Sequence, residues 1–128
     1  MFGLGLLVRL GRQVLAGPVA DAGILPTGYY RHLVLEALEE EDFPGALHHL
    51  KWADNSLLAQ IIVLRLRLLA ARHRRQMAAI QDLMGRSGLT AAYRERCQDL
   101  LAQETKALEL LRGYEVQALI YLENPRSL

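Results

Sequence analysis

Apolar residues recur every three or four positions between residues 57 and 71, and they do so on two sides of the same segment. Leu57, Ile61, Leu64, Leu68 and Ala71 make one row, and Leu58, Ile62, Leu66 and Leu69 make a second. A helix that is apolar on both sides predicts burial beneath two neighbours. Asp54, Asn55 and Ser56 provide the break and the capping oxygens before it, and Gly85 and Gly88 provide the stop. The helix is therefore expected over 56–84, a length of about 43 Å. Thr90 caps a last helix expected over 90–123, which stops before Pro125. In that helix Tyr93, Cys97, Leu100, Ala107, Leu111, Tyr114, Ala118 and Tyr121 keep a four-three spacing interrupted only by Glu104, the pattern of a coiled-coil seam. The turn between the two long helices is short, so they are expected to lie antiparallel. Leu101, Leu108, Leu119, Ile120 and Leu122 widen the apolar face of the last helix toward its C-terminal end.

Two shorter helices precede this pair. Thr27 is the expected cap of the first, over 28–41, whose stripe is Tyr30, Leu33, Val34, Ala37 and Leu38. Asp42 and Pro44 start the second, over 44–53, because proline is comfortable in a first turn and aspartate accepts from free backbone amides. The stretch Asp42, Phe43, Pro44, Gly45, Ala46, Leu47, with Leu50 and Ala53 following, resembles the second helix of a tetratricopeptide repeat. On the same register Tyr30 and Leu33 fall at that family's first-helix aromatic and leucine positions. Val34 replaces the family's small residue, Ala37 replaces its large aromatic, and the proline expected after the pair is missing. No second copy follows at the family's spacing of about 34 residues. The resemblance thus implies one degenerate repeat, over about 30–58, and with it a protein-binding helical hairpin.

The whole pattern predicts an all-α chain, a helical bundle in which two short helices, the TPR-like hairpin, pack on a long antiparallel hairpin. The core is expected where the apolar half of the third helix meets the apolar end of the fourth. Residues 72–96 are expected to project as a narrower arm or to pair with a second copy. Residues 28–124 form the expected domain, with a short tail over 125–128. Residues 17–28 (GPVADAGILPTG) break helical periodicity and read as a linker. The segment before it, MFGLGLLVRLGRQVLA, is amphipathic and carries no acid, with Phe2, Leu4, Leu7 and Val8 among its apolar residues and Arg9 and Arg12 on the polar side. It is too short, and too interrupted by arginine, for a bilayer span of about 20 apolar residues. Three readings stay open for residues 1–16: packing on this fold or a partner subunit, lying in a membrane interface, or acting as a targeting or disordered tail.

Composition narrows the class. With 128 residues, 52% hydrophobic and 23% charged, the chain has the apolar material for one folded domain and excludes a disordered linker. A net charge of +1 makes no global demand for nucleic acid or membrane, so electrostatics must be read from placement. Arg65, Arg67, Arg72, Arg74 and Arg75 decorate the third helix and Arg86 follows it, while Glu39, Glu40 and Glu41 form an acidic run at the end of the first. Each set reads either as a solvated face or as a docking surface: the arginines for an acidic protein or an anionic membrane surface, the glutamates for a basic partner. No nucleic-acid motif and no aromatic-interleaved basic stretch is present. A single cysteine, Cys97, excludes an intrachain disulfide and fits a cytoplasmic chain, possible membrane contact being peripheral.

Catalytic chemistry finds no motif: no glycine-rich phosphate loop after a strand, no metal-spaced cysteine pair, no serine elbow. His32 and Glu36 share a helix face at a spacing that can ligate a metal, and His48 and His49 are adjacent. The Glu-x-x-His pairs of di-iron bundles are missing. Cys97 sits on the seam as a small hydrophobe, and Trp52 is expected to cover the core beside Leu50. The expected function is binding, as a non-enzymatic adaptor or accessory subunit without cofactor, and the partner is another protein chain or a second copy of this one. The competing classes are a peripheral membrane protein anchored by residues 1–16 and a four-helix metal protein or enzyme.

Overall fold

Capping residues set most of the helix boundaries in the computed structural model, which describes residues 25–125. The four helices are α1 (Thr27–Glu39), α2 (Phe43–Ala53), α3 (Ser56–Met84) and α4 (Ala91–Glu123), and no strand occurs among the described residues. Residues 1–16, most of the linker expected over 17–28 and residues 126–128 of the expected tail lie outside the described residues. Asp42 caps α2 by accepting from the Gly45 amide, Asn55 caps α3 by accepting from Leu58, and Thr90 caps α4 by accepting from Tyr93. Each satisfies one of the amides that the first helical turn leaves without an intrahelical partner.

The start of α1 departs from expectation. Thr27 is inside the helix and Pro26 stands at the cap without a side-chain bond; the Pro26 carbonyl accepts from Tyr29 and Tyr30 instead. Its end is also earlier, at Glu39, because the chain closes there in a Schellman turn. The Asp42 amide donates to Ala37 O at 2.8 Å and Glu41 to Leu38 O at 3.1 Å, with Glu41 left-handed at φ 56°. Glycine is the usual residue at that position, so Glu41 holds a conformation that costs a side-chain-bearing residue about 1 kcal/mol.

Pairings across the molecule fix its topology. His73 meets Glu104, Arg67 meets Glu115 and the Asn55 amide donates to the Tyr121 hydroxyl, so α3 and α4 run antiparallel over their length. Arg31 on α1 donates to the carbonyls of Ala53 and Asp54, which places the start of α1 beside the end of α2 and satisfies carbonyls that a helix C-terminus leaves open. Tyr30 packs against Trp52 in the same corner, ring centroids 5.6 Å apart. Phe43, at the other end of α2, stacks on Tyr114 of α4 at 6.3 Å.

The core is built from Tyr30, Val34 and Leu38 of α1, Phe43, Leu47 and Leu50 of α2, Leu58, Ile62 and Leu66 of α3, and Leu111, Ala118 and Tyr121 of α4, with smaller residues between them. All lie at the end where four helices meet. Past Leu66 on α3 and before Leu111 on α4, Cys97 is the one buried side chain among the described residues, and Met77, Ile80, Leu83 and Leu101 are half-buried. A two-helix arm cannot enclose a side chain from more than one side, which explains the thin burial there. Glu104, the interruption in the α4 seam, faces His73 across the arm.

Two packing expectations are overturned. The second row of α3 (Leu58, Ile62, Leu66) is buried, but the first is not: Leu57, Leu64 and Leu68 are 62%, 58% and 62% exposed. The short helices, 13 and 11 residues, extend the hairpin on its inner side and reach no further round α3. On α4, Tyr93 and Leu100 likewise leave the seam for solvent, and Leu119 and Ile120 stay uncovered.

Candidate functional site

The outward row of α3 is the feature that distinguishes this surface. At 100° per residue, Leu57, Ile61, Leu64 and Leu68 fall within about 60° of one another, on the side of the helix opposite Ile62 and Leu66. The helix presents them along about 16 Å of its axis. Ile61 and Ala71 are half-buried and the three leucines are open. The spacing 57, 61, 64, 68 is four-three-four, which assigns Leu57 and Leu64 to heptad position d and Ile61 and Leu68 to position a.

That register gives the arginines their places. Arg65 and Arg72 fall at e positions along one edge of the row, Arg67 and Arg74 fall at g positions along the other, and Arg75 continues the row at its distal end. Four of the six arginines predicted as a binding surface thus flank a single apolar row. Arg67 donates its Nε to Glu115 at 2.7 Å while its side chain stays 62% exposed. Arg65, Arg72, Arg74 and Arg75 form no ion pair or side-chain hydrogen bond among the described residues. From Ser56 to Gln81, α3 carries no acid, so nothing on the helix itself neutralises them.

On the g edge the helix pair leaves a surface groove of about 380 Å³, floored by Leu66, Ala70 and Leu108 and rimmed by Arg67, Arg74 and Arg112 with Glu109 and Glu115. Its charges are mixed, and the Thr105 hydroxyl that lines it donates to the Leu101 carbonyl.

The other predicted residues are not gathered here. Arg86 lies beyond the end of α3, about three turns from Arg75, and pairs with Asp82 at 3.3 Å. Glu39 ends α1, and Glu40 and Glu41 form the turn into α2, all exposed, just before Phe43, which stacks on Tyr114 of α4. Phe2, Leu4, Leu7, Val8, Arg9 and Arg12 lie outside the described residues.

For metal chemistry the histidines stand apart. His32 Nε2 and Glu36 Oε2 are 4.0 Å apart on α1, and no group of three or more His, Cys, Asp or Glu side chains converges among the described residues. The His48 and His49 rings meet edge-on at 5.4 Å, and His48 also meets Trp52 edge-on. Trp52 is half-buried against the core, with Lys51 Nζ 5.4 Å from its ring. No helix among the described residues is long and apolar enough to cross a membrane.

Sequence reasoning took the leucine row for core because periodicity reports which positions are apolar, not how many neighbours reach them. The arginines did not separate the two rows either, since Arg65 is three residues from both Ile62 and Leu68 and so borders each of them. Comparison with protein-family models, with curated proteins and with solved structures finds no match, so the residues alone carry the functional reading.

Proposed function

We propose that this chain is a non-enzymatic protein–protein interaction module, an adaptor or accessory subunit of a larger assembly in a reducing, cytoplasmic setting. The observation that carries the proposal is the row Leu57, Leu64 and Leu68, each more than half exposed on a helix whose opposite side is anchored in the core. Leaving three leucines in water is costly, at about 25 cal/mol per Å² of apolar area, and a partner helix removes that cost. The α1–α2 hairpin is the second support. Of the apolar positions in the TPR-like pattern, Tyr30, Phe43, Ala46, Leu47, Leu50 and Ala53 are buried and Leu33 is half-buried, in keeping with a helical-repeat hairpin.

Affinity capture from the native cell tests the reading. With the wild-type chain a stoichiometric partner is expected, and with Leu64→Glu, Leu68→Glu it is lost. Equal recovery with both chains, or no stoichiometric partner, overturns it. Stoichiometric iron, manganese or zinc in the purified chain overturns it in favour of a metal protein.

The acid-free amphipathic pattern of residues 1–16 favours one further reading, a peripheral membrane anchor. Liposome flotation with and without residues 1–16 tests it: flotation lost on removal supports an anchor, and equal flotation of both forms excludes the segment.

A further inference from the structure

The heptad register of α3 says more about the partner than that it is a protein. Building on the interaction-module reading, we infer that the outward row accepts an amphipathic helix with acidic flanks, seated as a two-stranded coiled coil along residues 57–75. Three observations select this occupant over the others a leucine row can take.

First, the row is narrow. Only a and d positions are apolar on the outer side, and the neighbouring e and g positions are Arg65, Arg72, Arg67 and Arg74. A strict a/d stripe is the seam of a helix pair, whereas lying on a membrane takes a wider apolar face.

Second, the seam is not self-complementary. A second α3 set parallel brings g against e, and one set antiparallel brings e against e and g against g. Either way arginine meets arginine, which disfavours that pairing. Residues 1–16 of the chain itself fit no better, since Arg9 and Arg12 are their only charged residues and repeat the sign already present.

Third, most of the arginines along the row are unpaired. Arg65, Arg72, Arg74 and Arg75 pair with nothing among the described residues, and only Arg67 has an acid, Glu115. A helix with leucines at its own a and d positions and glutamates at e and g meets each of the four flanking arginines with an opposite charge.

The test uses the full chain and two labelled synthetic peptides, both with leucines in four-three spacing over three heptads, one with glutamate at e and g and the other with lysine there. Fluorescence anisotropy at low salt is expected to show the glutamate peptide binding about tenfold or more tightly than the lysine peptide, the ratio shrinking as salt screens the flanks. Leu64→Glu, Leu68→Glu abolishes binding of both. Arg65→Glu, Arg72→Glu narrows or inverts the preference while circular dichroism stays unchanged. Equal or tighter binding of the lysine peptide overturns the inference, as does binding that ignores the leucine substitutions. So does a dimer of the full chain that Leu64→Glu dissociates, since a second copy then occupies the row, and so does flotation on phosphatidylglycerol vesicles that depends on the same leucines when neither peptide binds. Cellular capture that needs Leu64 and Leu68 but tolerates Arg65→Glu, Arg72→Glu overturns this inference alone, whereas capture indifferent to the leucines overturns the interaction reading with it.

Discussion

Ile62 and Leu64 are two residues apart on one helix, and their replacement by alanine should have very different consequences. Ile62 is fully buried in the core cluster, whereas Leu64 is 58% exposed. Removing three carbons from Ile62 forfeits about 0.8 kcal/mol each in transfer free energy, and the cavity left behind raises the loss to about 3–4 kcal/mol. Leu64 has less than half of its surface covered, so the same arithmetic gives at most about 1 kcal/mol. The better helix propensity of alanine returns a few tenths, leaving about 0.5 kcal/mol. Urea denaturation followed by circular dichroism measures both, with equal m-values required for the comparison to hold. In a thermal scan the two variants should differ by roughly 10 °C, since a domain of this size loses about 3–5 °C per kcal/mol. A loss of 2 kcal/mol or more in Leu64→Ala refutes the reasoning, because the outward row would then be covered in the free chain.

Tyr121→Phe removes the hydroxyl that accepts from the Asn55 amide at 3.2 Å, and should cost about 1 kcal/mol with faster hydrogen exchange at Asn55. Glu41→Gly relieves the left-handed turn at φ 56° and should raise the urea midpoint by an amount equivalent to about 0.5–1 kcal/mol. Asp42→Ala should cost about 1 kcal/mol through loss of the α2 cap. In that background Gly45→Ala should turn stabilising, whereas in the wild type it collides with the Asp42 carboxylate, so a double-mutant cycle reads out the clash.

The long helices were legible because their ends are written in local chemistry: Asn55 and Thr90 accept from amides three residues on, and Gly85 and Gly88 carry the turn, Gly88 at φ 81°. Asp42 was legible for the same reason. The start of α1 was not, since Thr27 has the right oxygen but the Pro26 carbonyl already receives the first amides. Burial was the harder property. Leu66 and Leu64 are identical residues two positions apart in one periodic segment, and only the placement of the neighbouring helices, α4 above all, decides that one is 1% exposed and the other 58%. The arginines were recognised as a candidate surface, but their division into two shoulders of one seam needed the inward row to be known first. Glu104 read as a flaw in the α4 seam, and its reason, His73, lies thirty-one residues away on another helix.

The uneven burial along the long hairpin sets an order of opening. Amides of α3 between Leu58 and Leu66 sit against the four-helix core, whereas those past Arg75 belong to an arm with Cys97 as its one buried side chain among the described residues. Local unfolding starts where burial is thinnest, so exchange protection should fall from the Tyr121 end toward the Gly85 turn. The leucines Leu57 to Leu68 lie on the protected side of that gradient and Arg72 to Arg75 at its shoulder. A helix laid along the whole row would splint the two regimes together, and protection spreading past Arg75 would record its arrival.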